Sequence, residues 1–190
     1  MMPTTRRTLL ERVRDPEDEE AWSLFHELYA PLLYRYALGR GLDATDAEEI
    51  RDQCLSKIAQ RLGSFEYDPD KGKFKAWLHQ MARGEVIDHL RRRRPQQVDT
   101  QTLGQMQARE LSPPEAWEEE WRRQHLFFGL EKAGRRLPEK TFQAFRMLLV
   151  ENASVPEVCE RLGMNPNQVY KAKGRVLQEV RVVLGEMGVD

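Results

Sequence analysis

Apolar residues recur at helical spacing along most of the chain, and this pattern predicts helices rather than strands. The first strong pattern runs from about Glu19 to Leu38, where aromatic and aliphatic side chains form one broad stripe. Pro31 lies inside that stripe and is expected to kink or interrupt the helix. A second stripe follows Thr45, which we expect to cap its helix in a capping box with Glu48.

A third stripe belongs to the stretch from Tyr67 to Arg94. The stretch is predicted to open in a polar turn, because it contains Pro69 and Gly72, which suit a reversal of the chain. It continues as a helix with a break at Gly84 and ends in four consecutive arginines. Three helices with matching apolar stripes predict a small bundle.

The pattern changes after the arginines. Residues 95–114 are polar, contain Gln, Ser, Gly and Pro, and predict a flexible linker. A further helix is expected from Glu115, with an acidic first turn and a basic last turn that suit the helix dipole, ending at Leu137-Pro138. Its expected apolar face consists of Trp117, Trp121, Leu126, Phe127, Leu130 and Ala133. Another helix follows over residues 141–150.

The last pattern predicts two helices joined by a short turn at Gly163, which is a helix-turn-helix unit. Ser154 and Glu157 predict a capping box for the first helix, and Asn165 with Pro166 predicts the start of the second. Polar and basic side chains share the outer surface of the second helix. They are Asn167, Gln168, Tyr170, Lys171, Lys173 and Arg175. Such groups at the start of a helix read base edges and bind phosphates in a major groove.

Charge adds a second signal. The chain has 190 residues, enough for one domain or two small ones, and a formal net charge of −1. Between Lys71 and Arg94, however, eight basic residues stand against two acidic ones, a local balance of +6. The balance between Arg161 and Arg181 is +4, from five basic residues and one acid. Both patches predict contact with a polyanion such as nucleic acid.

Other classes of protein find little support. The chain has two cysteines, Cys54 and Cys159, which are isolated on apolar faces and predict free buried thiols in a reducing cytoplasm. The N-terminus is too polar for a signal peptide, and we expect no membrane insertion. Neither a Gly-rich phosphate loop nor a metal-ligating or nucleophile–base pattern appears. We therefore expect no catalytic residue, cofactor or metal, and do not expect an enzyme.

The order of these parts resembles the bacterial RNA polymerase sigma factors of the sigma-70 family, and within it the extracytoplasmic-function (ECF) group. One stretch that carries the likeness is DAEEI at residues 46–50 with FEYDPDKGKFKAWLHQMARGEVIDHLRRRR at residues 65–94. Another runs over residues 137–181 and contains VCERLGMNPNQVYKAKGRVLQEVR. The resemblance implies an all-α protein of two small helical domains: a three-helix region 2-like domain at residues 1–94, a linker at 95–114, and a helix-turn-helix region 4-like domain at 115–190.

The resemblance also implies roles for particular residues. The second helix of such proteins docks on the clamp helices of the largest polymerase subunit. The residues implied here are Glu48, Glu49, Asp52 and Gln53. The following loop and helix capture an unpaired base of the minus-ten promoter element and bind the single non-template strand. The residues implied are Phe65, Tyr67, Lys71, Lys73, Lys75, His79, Arg83, Arg91, Arg92, Arg93 and Arg94. The outer surface of the C-terminal helix, Asn167 to Arg175, would read the minus-thirty-five element.

The implied partners are core RNA polymerase and promoter DNA, and the resemblance leaves room for an anti-sigma factor as a third. The leading interpretation is a promoter-specificity subunit without catalytic activity. The alternative is a helix-turn-helix repressor or activator that binds duplex DNA without polymerase. That alternative leaves the basic third helix unexplained, and dependence of DNA binding on core polymerase distinguishes the two.

Overall fold

The computed structural model describes residues 8–62, 73–93 and 115–187, with no account of the side chains of Lys73 and Arg93. Within these ranges the chain is all-α and contains no strand, as predicted. The helices are α1 (Leu9–Arg12), α2 (Glu19–Leu38), α3 (Ala44–Arg61), α4 (Lys73–Arg93), α5 (Glu115–Arg136), α6 (Glu139–Leu149), α7 (Val155–Leu162) and α8 (Pro166–Met187). No helix in the described ranges combines the length and the apolar character that crossing a membrane requires.

The chain divides into two compact units, which are described separately below. The first comprises Leu9–Gln124 and the second contains His125–Asp190. Helix α5 therefore contributes its first ten residues to the first unit and the remainder to the second. The domain boundaries drawn from the sequence, at 94 and 115, stay predictions. The predicted linker lies outside the described residues.

Helices α2, α3 and α4 form the bundle of the first unit, and α2 packs against both of the others. Phe25, Leu28, Leu32, Ile50 and Ile58 are fully buried in this core. Both α2 and α4 are longer than their breakers suggested: α2 runs through Pro31 and α4 runs through Gly84. Both helices continue past these residues because packing against neighbouring helices stabilises them along one face.

Helix α3 begins two residues earlier than the capping prediction. Its N-cap is Asp43, whose side chain accepts a hydrogen bond from the backbone N–H of Asp46 at 2.9 Å. The prediction that Thr45 caps this helix is therefore wrong. Aspartate ranks above threonine as an N-cap, and the earlier start satisfies the first backbone donors.

The first ten residues of α5 complete the first unit. The indole of Trp117 is fully buried and that of Trp121 is 4% exposed. Trp117 lies 5.1 Å from the ring of Tyr36, and Trp121 lies 5.6 Å from the ring of Tyr29, both on α2. The side-chain amide of Gln124 donates to the backbone carbonyl of Leu28 at 2.9 Å. This part of α5 is thus a fourth helical layer on the bundle.

The second unit is built from the remainder of α5 with α6, α7 and α8. Ser154 and Glu157 form the predicted capping box of α7, and Gly163 ends that helix in the left-handed conformation at φ +57°. At the start of α8, Asn165 Oδ1 accepts a hydrogen bond from the backbone N–H of Gln168 at 2.9 Å, as predicted. Two apolar clusters hold the unit together. Their fully buried members are Ala133, Ala144, Met147, Val158, Val169 and Val176.

The predicted apolar face of α5 is wrong at two positions. Leu126 is 50% exposed and Phe127 is 62% exposed, whereas Phe128 is buried. The buried stripe of α5 passes through Gln124, His125 and Phe128, so Leu126 and Phe127 lie beside it.

Candidate nucleic-acid interface

Exposed acids mark the outer surface of α3. Glu48, Glu49 and Asp52 are exposed, and Gln53 is half-buried. Gln53 donates from its amide to Glu49 Oε1 at 2.6 Å, while Arg51 binds Asp52 through its guanidinium at 2.7 Å. The hydrogen bond from Arg51 lowers the pKa of the Asp52 carboxyl. The predicted docking residues thus lie together on the outer side of α3.

The end of α4 presents basic side chains. Arg92 is 59% exposed and its guanidinium lies 3.9 Å from Glu49, whereas Arg91 pairs with Asp88 at 3.5 Å. Arg83 is half-buried. The loop residues Phe65, Tyr67 and Lys71, together with Arg94, lie outside the described residues, as do the side chains of Lys73 and Arg93.

His79 does not lie on the predicted DNA-binding surface. It is 4% exposed, its ring centroid lies 5.1 Å from that of Trp117, and its Nε2 lies 3.3 Å from the hydroxyl of Tyr36. Burial lowers the pKa of His79 to about 4, and the positive charges of Arg40 and Arg83 act in the same direction. The imidazole is therefore neutral at pH 7 and belongs to the core. The predicted role for His79 is corrected on this ground.

Lys75 lies one turn before His79 on the same side of α4. Its ammonium contacts Glu118 Oε2 at 2.6 Å and lies 5.9 Å from the ring centroid of Trp121. The side chain of Lys75 is 29% exposed. The residue is therefore near the surface, but an acid of α5 is its partner.

A buried polar contact that sequence reasoning missed joins α3 to α4. His89 and Asp46 are 5% and 4% exposed, and His89 Nε2 lies 3.3 Å from Asp46 Oδ2. Glu49 offers an oxygen within 4.8 Å of both. Because Arg92 lies 3.9 Å from Glu49 and adds a positive charge there, we assign the group to side-chain packing and not to a metal. The spacing of the two residues in sequence gave no signal for this contact, since it depends on how the helices pack.

The outer side of α8 carries the predicted recognition residues. Asn167, Gln168, Tyr170, Lys171 and Arg175 are exposed, and Lys173 is half-buried. The opposite side of the helix is buried in the second unit through Val169, Ala172 and Val176. This division fixes which side α8 presents to solvent. The Oε1 of Gln168 accepts a hydrogen bond from the backbone N–H of Asn165 at 2.8 Å, a bond in which its amide nitrogen takes no part.

Comparisons with known proteins show similarity to bacterial sigma factors. Residues 25–96 match the model of the Sigma-70 region 2 family. The chain is 29% identical over 92 residues to the ECF RNA polymerase sigma factor RpoE of Cereibacter sphaeroides, which covers 48% of this chain and 50% of that protein. It is 25% identical over 178 residues to the ECF RNA polymerase sigma factor BldN of Streptomyces coelicolor, covering 93% of this chain and 64% of that protein.

The region 2 match covers most of α2 and the whole of α3 and α4. The chain is therefore similar to sigma factors of the extracytoplasmic-function group, and the part that matches a family model is residues 25–96. It spans between half and two thirds of the length of these two curated relatives.

Proposed function

We propose that this chain is a promoter-specificity subunit that binds core RNA polymerase and directs it to particular promoters. The region 2 match over residues 25–96 carries the proposal, because it covers both the acidic surface of α3 and the basic end of α4. In this role the chain performs no catalysis, and acts in the cytoplasm where polymerase and promoters are.

In this proposal the first unit binds polymerase and the minus-ten element. The acids Glu48, Glu49 and Asp52 contact the clamp helices of polymerase. The basic residues of the loop before α4 and of its end hold the unpaired strand, since a positively charged groove with aromatic side chains binds a single strand without needing a duplex. Arg92 supports this role because its guanidinium is the more exposed of the two described arginines at the end of α4.

The second unit is proposed to read the minus-thirty-five element through α8. In this proposal Lys171 and Arg175 contact phosphates, and Asn167 and the amide of Gln168 contact base edges. The exposed ring of Tyr170, at 61%, adds an apolar contact for a thymine methyl group. Together the two units span duplex and melted DNA in one promoter.

A helix-turn-helix regulator that acts without polymerase is the competing function. The geometry of α7 and α8 fits it equally well, but it gives no role to the region 2 fold or to the exposed acids of α3. We therefore treat it as an outcome of the test.

The test is transcription in vitro with purified bacterial core polymerase on a library of genomic fragments, with and without this protein. New start sites that share paired upstream motifs support the proposal. Failure to bind core polymerase and to produce start sites would contradict it. Duplex DNA binding by the protein alone would then favour the regulator.

A further inference from the structure

We propose that the first ten residues of α5 compete with single-stranded DNA for Lys75, a basic residue of α4. This stretch, residues 115–124, is called the α5 N-terminal segment below. Its acidic side chains take the place of DNA phosphates on the first unit, so that a promoter strand must displace them to bind. The inference rests on the proposed function and names a regulation of the same binding surface.

Two tryptophans anchor the α5 N-terminal segment. Trp117 packs on His79 and Tyr36, while Trp121 packs on Tyr29 and lies 6.3 Å from the ring centroid of Phe74. Both indoles are at least 96% buried. The segment is thereby held along the side of α4 that carries Lys75 and His79, two residues at helical spacing.

Two acids at the edge of this anchored segment bind cations of the bundle. Glu118 pairs with Lys75 at 2.6 Å, and Glu120 pairs with Arg35 on α2. Arg35 also donates to Gln124 in the same segment. A carboxylate that pairs with a lysine does what a phosphate oxygen would do there, and only one of them can occupy the site.

The exchange needs no unfolding of the first unit. Lys75 and Glu118 keep 29% and 33% of their side-chain exposure, so water and a phosphate can reach the pair while the tryptophans stay buried. Binding a strand at Lys75 then costs the ion pair with Glu118. While Lys75 stays paired with Glu118 it neutralises no phosphate. It then releases none of the cations condensed on the DNA and adds nothing to that part of the driving force for binding.

The test compares Glu118→Gln with Glu119→Gln in the full chain. Glu119 is the exposed neighbouring acid on the same helix, so its substitution makes the same change in net charge. Binding of a fluorescein-labelled 20-nucleotide oligothymidine is measured by anisotropy over a range of salt concentrations. Relative to Glu119→Gln, we expect Glu118→Gln to bind about twofold to fivefold more tightly, the range for release of a half-exposed ion pair. We expect a salt dependence steeper by about 0.7, which is one additional phosphate contact.

The gain must come from Lys75 itself. In a Lys75→Gln background, Glu118→Gln should give no gain over Lys75→Gln alone. A gain that persists in this background, or equal binding by Glu118→Gln and Glu119→Gln, overturns the proposal. Thermal unfolding of each variant checks that the fold is kept.

Transcription assays with the same proteins separate this proposal from the proposed function. If wild-type protein directs core polymerase to promoters but Glu118→Gln binds oligothymidine no better than its control, only the competition is wrong. If no variant supports transcription or binds core polymerase, the proposed function is wrong, whatever the oligonucleotide shows.

Discussion

At the scale of single residues, His79 makes stability depend on pH. A histidine in an unfolded chain titrates near 6.5, whereas burial lowers the pKa of His79 to about 4, with Arg40 and Arg83 adding to the effect. Between these two pH values the unfolded chain binds more protons than the folded chain. Acidification from pH 6.5 toward 4 therefore lowers the free energy of unfolding, by up to about 3 kcal/mol at about 1.4 kcal/mol for each pKa unit.

Replacing this imidazole should remove that part of the pH dependence. We expect the free energy of unfolding of His79→Phe, measured in urea between pH 4.5 and 7.5, to change less with pH than that of the wild type. The matched control is His26→Gln, since His26 is exposed on α2. A wild-type pH dependence in His79→Phe would show that the histidine is not the source.

Gly163 gives a second prediction at this scale. It ends α7 at φ +57°, and a Cβ built there meets nothing within 4 Å. Gly163→Ala should therefore cost only the left-handed backbone, about 1–2 kcal/mol. Gly174→Ala is the matched control, because Gly174 also has open space but lies inside α8, where alanine should stabilise by about 0.5–1 kcal/mol. In chemical denaturation, Gly163→Ala should lower the free energy of unfolding and Gly174→Ala should raise it.

At the scale of helices, the start of α3 can be tested by its cap. Asp43→Ala should lower the free energy of unfolding by about 1 kcal/mol, because it removes the acceptor for the N–H of Asp46. Thr45→Ala should change it by less than about 0.5 kcal/mol, as expected of an exposed residue that caps nothing. If urea denaturation showed that Asp43→Ala and Thr45→Ala lower the free energy of unfolding equally, Thr45 would be a cap after all.

Helix bounds were largely predictable from the sequence, whereas helix partners were not. The stripe of α2 and the capping box at Ser154 depend on residues close in sequence, and both predictions were confirmed. The surroundings of His79 depend on Trp117, which is 38 positions further along the chain and separated by the predicted linker. Periodicity states which side of a helix is apolar, but it does not state what covers that side.

The same limit explains the error on α5. The sequence pattern predicts a single apolar stripe along the whole helix, although its first ten residues and its remainder belong to different units. Trp117 and Trp121 follow the packing of the first unit, and Phe128 and Ala133 that of the second. A helix that changes partners along its length gives no single periodic signal.

At the scale of the whole molecule, the net charge is close to zero although the chain carries two surfaces of opposite charge. The acids of α3 lie in the first unit and the basic residues of α8 lie in the second. Under the proposed function, each surface binds a different partner, polymerase in one case and duplex DNA in the other. Variants of the two surfaces should therefore fail in different assays.

We expect Glu48→Lys/Glu49→Lys to weaken binding to core polymerase at least tenfold, because two charges facing the partner are reversed. Lys171→Ala/Lys173→Ala should leave that affinity within about twofold, since neither lysine lies on the docking surface. It should instead reduce holoenzyme binding to a promoter with an upstream element, and flatten the salt dependence of that binding by about one unit for each lost phosphate contact. Fluorescence titration with labelled core polymerase and filter binding of promoter fragments measure the two effects. The assignment of the two surfaces would be reversed if the lysine variant lost polymerase binding. It would also be reversed if the glutamate variant lost only recognition of the upstream element.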